Sequence, residues 1–375
     1  MTVSDVWPPL EDDLADLADA VRTFSADRLT EPAARAEESD TLREELVQAL
    51  GGQGLWTLGV PERHGGGGAD LLALSVAMQG IATVAPVAAA AVATAHAAYL
   101  AVAEASAVAA GGLPVLIDTT DPLTSVRVTR CAAGWSVDGT ASRVEGAGAA
   151  ALFVVVDPEA GALLVEPSAC TIGRPMRRCG LRGLPPHPVT FHDARFDVGA
   201  SAPAEATRAR ATLLTLLGAT ACGIAESAWA AARDYAGSRA QFGRRLREFP
   251  ALACRLDEMA EQTRGRLLIL TDAAREAARQ AGHASRTDPA RVAARCARTA
   301  VEVADAAIQL HGGYGYLAEY PVERGLRDAV TVRALVAQAA SRSASANRHG
   351  TGTTASGRDE PDGNLMSAAT FSKGC

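Results

Sequence analysis

Aromatic residues make up only 4 % of this 375-residue chain, no Cys-x-x-Cys pair occurs, and positive charge is in deficit, with a formal net charge of -7. Each scarcity excludes something. Few aromatics beside abundant alanine favour closely packed helices over a β-rich fold, because alanine is the strongest helix former. The net negative charge and a pI near 5.6 leave no basic footprint for nucleic acid or an anionic membrane surface. Seven cysteines (Cys131, Cys170, Cys179, Cys222, Cys254, Cys296 and Cys375) are scattered. That predicts reduced, mostly buried thiols in a cytoplasmic protein, with neither a disulfide frame nor a metal site. No basic stretch followed by an apolar core is present in Met1–Asp13, so no signal peptide is read there. The most apolar run, Ile81–Ala110, is mostly alanine and carries Pro86, His96 and Glu104. It predicts a pair of buried helices rather than a membrane span.

The length predicts two or three domains. Leu14, Leu17, Val21 and Phe24 recur at helical spacing, as do Leu42, Leu46 and Leu50 before Gly51-Gly52. A turn at Val60–Gly68 breaks this helical region, which resumes from Ala69. From Leu113 the pattern becomes short β-like runs: Val115–Ile117, Ser125–Val128, Trp135–Val137, Ala151–Val156, Ala162–Val165 and Val189–Phe191. Helical spacing returns at Ala206 and holds to Ser341. Helices, then strands, then helices predict separately packed units, an α+β multidomain chain, and not an alternating α/β sheet. The expected divisions are an N-terminal all-α domain at 1–112, a middle β domain at 113–203, a C-terminal all-α domain at 204–342, and a disordered tail at 343–375. The tail has almost no large apolar residue with which to offset ordering entropy.

The most informative block is Gln309-Leu310-His311-Gly312-Gly313-Tyr314-Gly315-Tyr316, followed by Arg327-Asp328-Ala329. Adjacent glycines let backbone approach a bulky anion closely. With an amide before them and an Arg-Asp pair after them, the block points to a binding site. It resembles the carboxyl-terminal signature of the acyl-CoA dehydrogenase family, flavoproteins that oxidise acyl thioesters. Val60-Pro61-Glu62, Gly180-Leu181-Arg182-Gly183, Arg239, Gln241-Phe242-Gly243 and Leu256-Asp257-Glu258-Met259 extend that resemblance over roughly residues 10–340. The resemblance implies a helical N-terminal domain, a middle β-barrel domain and a C-terminal four-helix bundle. It also implies a homodimer or homotetramer formed through the third domain, with FAD as cofactor. The cofactor-binding positions it implies are Arg239, Gln241, Gln309, Leu310, His311, Gly312 and Gly313. A guanidinium suits a diphosphate, because it donates parallel charge-assisted bonds. The diphosphate is expected across two protomers, Arg239 coming from one and Gly312-Gly313 from its neighbour. His311 is expected to line the site through its backbone.

The resemblance fails at the catalytic base. The family's usual glutamate, shortly after Arg-Asp-Ala, falls on Val336, and no acid occurs between Ala329 and Gly357. Its alternative place, on the first helix of the third domain, falls on Leu213, with Leu214 replacing an adjacent arginine. Glu205 lies two turns away, and Glu226 is expected to face a neighbouring helix. The ring-lining motifs are missing too: Ala110–Pro114 runs almost directly into strands, and the lysine and ring-contacting threonine positions read Ala141 and Ser142–Glu145. Glu145 is a weak candidate for a relocated base, set against the simpler expectation of a solvated strand-end carboxylate. Three functions stay open. The first is an acyl-CoA dehydrogenase-type oxidoreductase acting on the CH–CH group of a CoA- or acyl-carrier-protein-bound thioester in specialised metabolism. The second is a catalytically incomplete partner subunit in a hetero-oligomer. The third is a flavin-dependent monooxygenase on the same scaffold.

Overall fold

A computed structural model of the chain describes residues 10–102, 112–132, 134–196, 203–279 and 287–349. The first unit contains α1 (Asp12–Arg28), α2 (Thr30–Ser39), α3 (Glu44–Gly52), α4 (Leu71–Ala82) and α5 (Pro86–Leu100). Of the stripes read from the sequence, Val21, Leu42, Leu46 and Leu50 are at most 6 % exposed, while Leu14, Leu17 and Phe24 are half-buried. Asp70 caps α4 by accepting from Ala73 N at 2.8 Å, and Pro86 opens α5, where its missing N–H costs nothing. Both helices of the alanine-rich run lie in the core, while Glu104 and Ala110 fall outside the described residues.

The middle unit contains β1 (Leu113–Asp118), β2 (Arg127–Cys131), β3 (Gly134–Glu145), β4 (Ala150–Asp157), β5 (Gly161–Val165), β6 (Cys170–Ile172) and β7 (Pro186–Phe196). These strands form two sheets, β1-β4-β5 and β2-β3-β7-β6, the middle sheet region expected between the two helical units. Strand β1 runs parallel to β4, and the remaining pairs are antiparallel. Between Ala141 and Val144, β3 gains a residue on β7, a bulge that re-aims the strand's last side chains.

The third unit holds α6 (Pro203–Ser238), a hairpin of β8 (Ala240–Gln241) and β9 (Arg244–Arg245), α7 (Pro250–Arg279), α8 (Pro289–His311) and α9 (Pro321–His349). Helix α9 carries regular structure past the expected boundary at 342, and residues 350–375 lie outside the described residues. Helix α6 is the axis of the molecule. Its Ala206–Ser238 stretch is long and apolar enough to cross a membrane by length and composition, yet 89 % of its most apolar window is buried against protein. Where α6 meets the first unit, Glu226 accepts from Arg22 Nη1 at 2.8 Å and from the Gln79 amide, so it faces neighbouring helices as expected. Burial still pushes its carboxyl up.

Of the six described cysteines, only Cys222 and Cys296 are buried, so the expectation of mostly buried thiols is corrected. Cys179 and Cys254 are exposed, which follows from their places on a turn and on the outer face of α7. All six are free thiols, and Cys375 lies outside the described residues.

Candidate active site

Where the three units meet, a narrow cleft of about 50 Å³ opens between α5, the end of β1, the end of β3, α6 and α9. Helix α6 contributes Leu213 and Leu217, and α9 contributes Leu335, Gln338 and Ala339 from one face. Three carboxylates line it. Asp118 is held by Arg210, whose Nε and Nη2 donate at 2.5 and 3.0 Å, and by Thr120. Asp121 accepts from Gln338 Nε2 at 2.8 Å and from Leu123 N at 2.9 Å. Glu145, on the bulged end of β3, has its Oε1 buried without a hydrogen-bond partner.

Of the two positions at which the resemblance places a base, only Leu213 is among the residues lining this cleft. Val336 sits on α9 beside Leu335, 1 % exposed. Helix α9 runs unbroken through Val336, so that position is a core apolar contact and offers no proton acceptor. The Glu205 side chain lies outside the described residues. Glu145 is no solvated strand-end carboxylate: its side chain is 13 % exposed, and Arg178 Nη1 stands 3.7 Å from its Oε1. Asp118 and Asp121 went unnoticed in the sequence. The signal was an acid closing the apolar run Val115-Leu116-Ile117, since strand ends are where cleft residues gather.

The proposed cofactor positions assemble at the other end of α6. With its carboxamide oxygen and nitrogen exchanged, the orientation that gives both a partner, Gln241 accepts from Arg239 Nη2 at 2.8 Å and Nε at 3.3 Å. The Arg239 guanidinium lies 5.5 Å from the ring of Tyr314, next to Gly313. The two segments expected from different protomers therefore meet within one chain. Helix packing causes this, because the C-terminal ends of α6 and α8 lie together, with Tyr235 stacked on His311 at 4.2 Å. Gly312 adopts φ +60° and ψ -136°, and a Cβ at Gly312 or Gly313 would meet nothing within 4 Å, so bare backbone faces outward. Gln309 is exposed. Leu310 and His311 are turned inward, 8 % and 4 % exposed, and His311 Nδ1 donates to Ala307 O at 2.7 Å. Their side chains pack the helix end. Open glycine backbone beside an exposed guanidinium fits a diphosphate. Among the described residues no group of three His, Cys, Asp or Glu could hold a metal ion.

The pair Arg327-Asp328, read from the sequence as part of the binding block, belongs to a joint between units. Arg327 Nη1 reaches Glu37 on α2 at 2.6 Å and Cys179 O at 2.8 Å. Asp328 accepts from Leu181 N at 2.6 Å, and Thr331 accepts from Gly180 N at 3.0 Å. A Cβ at Gly180 would stand 2.2 Å from Arg327 O, so only glycine allows the middle unit to seat on α9. Burial pushes the Asp328 carboxyl up to about 6. On α5, burial draws His96 down to about 4, and its Nε2 accepts from Gly59 N at 3.0 Å.

Two family descriptions match the chain: acyl-CoA dehydrogenase, N-terminal domain, over residues 11–109, and acyl-CoA dehydrogenase, C-terminal domain, over 214–353. The chain belongs to the acyl-CoA dehydrogenase family, as the resemblance implied, and is an enzyme of that oxidoreductase type. It is 27 % identical over 355 residues to the probable acyl-CoA dehydrogenase FadE25 of Mycobacterium tuberculosis, covering 84 % of this chain and 89 % of the relative. It is 27 % identical over 352 residues to benzylmalonyl-CoA dehydrogenase of Aromatoleum aromaticum, covering 85 % and 93 %. Butyryl-CoA dehydrogenase from Megasphaera elsdenii superposes with a TM-score of 0.79 at 22 % identity, covering 89 % of this chain and 98 % of that one. The prolyl acyl carrier protein oxidase AnaB superposes equally well, at 0.79 and 18 % identity, covering 91 % and 100 %.

Proposed function

We propose that this chain binds FAD across two protomers and oxidises the Cα–Cβ bond of an acyl thioester in the three-unit cleft. The observation that carries this reading is the distance between the two ends of α6. From Leu217 in the cleft to Ser238 beside Arg239 the helix rises roughly 32 Å, at about 1.5 Å per residue, more than a flavin ring and its diphosphate can bridge. A cleft for the ring and a cradle for the diphosphate on one chain therefore serve different FAD molecules. A second protomer must complete each site. The exposed Phe242, Tyr314, Tyr316 and Leu317 give that end an apolar surface for such a contact. Bound flavin would supply hydride acceptance, while Arg239, Gly312 and Gly313 hold its diphosphate.

The carrier is CoA or an acyl carrier protein; relatives named for each type of thioester favour the class without choosing within it. The free thiols fit a reducing cytoplasmic setting. The test is to purify the chain, record its visible spectrum and titrate it anaerobically with acyl thioesters. A flavin band bleached by one of them supports the reading. A colourless homo-oligomer refutes it for the chain alone.

A second reading is favoured by one asymmetry. The Arg239 cradle is complete, whereas both expected base positions, Leu213 and Val336, are apolar and buried. A subunit that lends its cradle to an unlike chain needs only the first. Flavin retained only in the presence of a companion acyl-CoA dehydrogenase chain would establish that assembly.

A further inference from the structure

We infer that the outer face of α7, centred on Leu268, is a second contact between copies of this chain, antiparallel and two-fold, separate from the contact at the Arg239 end. Most of that face is polar: Glu258, Glu261, Gln262, Arg264 and Asp272 are exposed. Two large apolar residues interrupt it, Leu268 at 48 % and Ile269 at 37 % exposed. Their neighbours Leu267 and Leu270 already fill the core at no more than 1 %, so the exposed pair adds nothing to the chain's own packing. Gly265 stands one turn earlier on this face, midway along a 30-residue helix, and a Cβ there would meet nothing within 4 Å. A glycine inside a helix lowers stability against alanine. Its open side lets a second helix come close beside Leu268.

The charges choose the occupant. In a two-fold contact, the residue n places before the axis meets the residue n places after it on the other copy. With Leu268 on the axis of an antiparallel helix pair, Arg264 meets Asp272 and Glu261 meets Arg275. All four lie at helical spacing from Leu268 and flank it on one face. A shallow crossing, about 20°, keeps both pairs within reach. Among the described residues Arg264, Asp272 and Glu261 have no ion-pair partner, and the Arg275 pair with Glu11 is long at 3.9 Å. Moving the axis to between Leu268 and Ile269 would set Glu261 against Glu276, so the charges also select the register.

This face lies away from the cradle. From Pro250 to Leu268 α7 rises about 27 Å, leaving the exposed β8–β9 hairpin and Arg239 behind. The α7 contact stands on its own residues. Combined with the cradle contact proposed above, it gives each protomer two neighbours, and two two-fold contacts close into a four-chain assembly.

The test weighs the full chain, loaded with FAD, by size-exclusion chromatography with light scattering. Wild type is expected at four times the chain mass of 38.6 kDa. Leu268→Glu and Asp272→Arg are each expected to halve the mass with the flavin band unchanged. Adding Arg264→Asp to Asp272→Arg re-forms the pair with its signs reversed and should restore the mass. A mass that neither Leu268→Glu nor Asp272→Arg changes overturns the inference, as does a double variant that stays halved. Should Leu268→Glu fail to fold, the charge variants decide, because both positions are exposed. If the cradle contact is what fails, wild type runs at twice the chain mass without flavin and Leu268→Glu at the mass of one chain, and the α7 contact stands.

Discussion

Replacing Asp328 with asparagine isolates the cost of the joint between the middle unit and α9. The carboxyl is 3 % exposed, and burial is the largest cause of its rise from 3.8 to about 6; nearby Glu37 adds to it, and the bond from Leu181 N opposes it. Because the folded-state value lies above the unfolded one, the folded chain holds the extra proton between about pH 4 and 6. This group therefore stabilises most at low pH, and its contribution is lost as pH rises through about 6. A shift of that size corresponds to roughly 3 kcal/mol. The amide introduced by Asp328→Asn cannot ionise, yet its oxygen can still accept from Leu181 N. The variant should gain about 1–3 kcal/mol over wild type at pH 8, less whatever the weaker neutral acceptor loses, and little at pH 4. Urea melts at pH 4, 6 and 8 read this directly. If Asp328→Asn is less stable than wild type at pH 8, the carboxylate is held by its partners and the reasoning from burial is wrong.

Arg239→Ala should lower flavin affinity at least about tenfold without changing helix content, because a charge-assisted contact contributes about 1.5–3 kcal/mol; flavin titration with circular dichroism checks both halves. His96→Gln should flatten the acid limb of stability: the folded value near 4 lies below the ordinary 6.5, so stability present above pH 6.5 is lost as pH falls toward 4. Thermal melts across that window measure it. Gly180→Ala should destabilise by about 1–3 kcal/mol, since its Cβ would strike the backbone of α9 rather than a movable side chain; a melt indistinguishable from wild type would show that the seating yields.

Much of the architecture was legible because burial repeats at the periods the sequence shows. Val21, Leu46 and Leu50 face inward at helical spacing, and Val154 and Val155 fill a central strand. Elements with little apolar content escaped: β6 has three residues, and the β8–β9 hairpin is fully exposed, so neither carries a periodic signal. The family block was readable, but its parts were not separable in one dimension. Arg327 and Asp328 follow the glycines in sequence yet serve a joint with Glu37 and Leu181, contacts spanning well over a hundred residues. The meeting of Arg239 with Tyr314 depends on how α6 and α8 lie together, and the ion pair of Glu145 depends on where Arg178 is fixed. Motif spacing records neither.

The most direct measurement is a crystal structure of the protein grown with excess FAD. The account predicts the narrow cleft opened to take the isoalloxazine ring between Leu213 and Leu335 of one protomer, with its diphosphate against Arg239 and Gly312-Gly313 of another. A dinucleotide held entirely by one chain, or a cleft closed by side chains with the Arg239 surface empty, would contradict it.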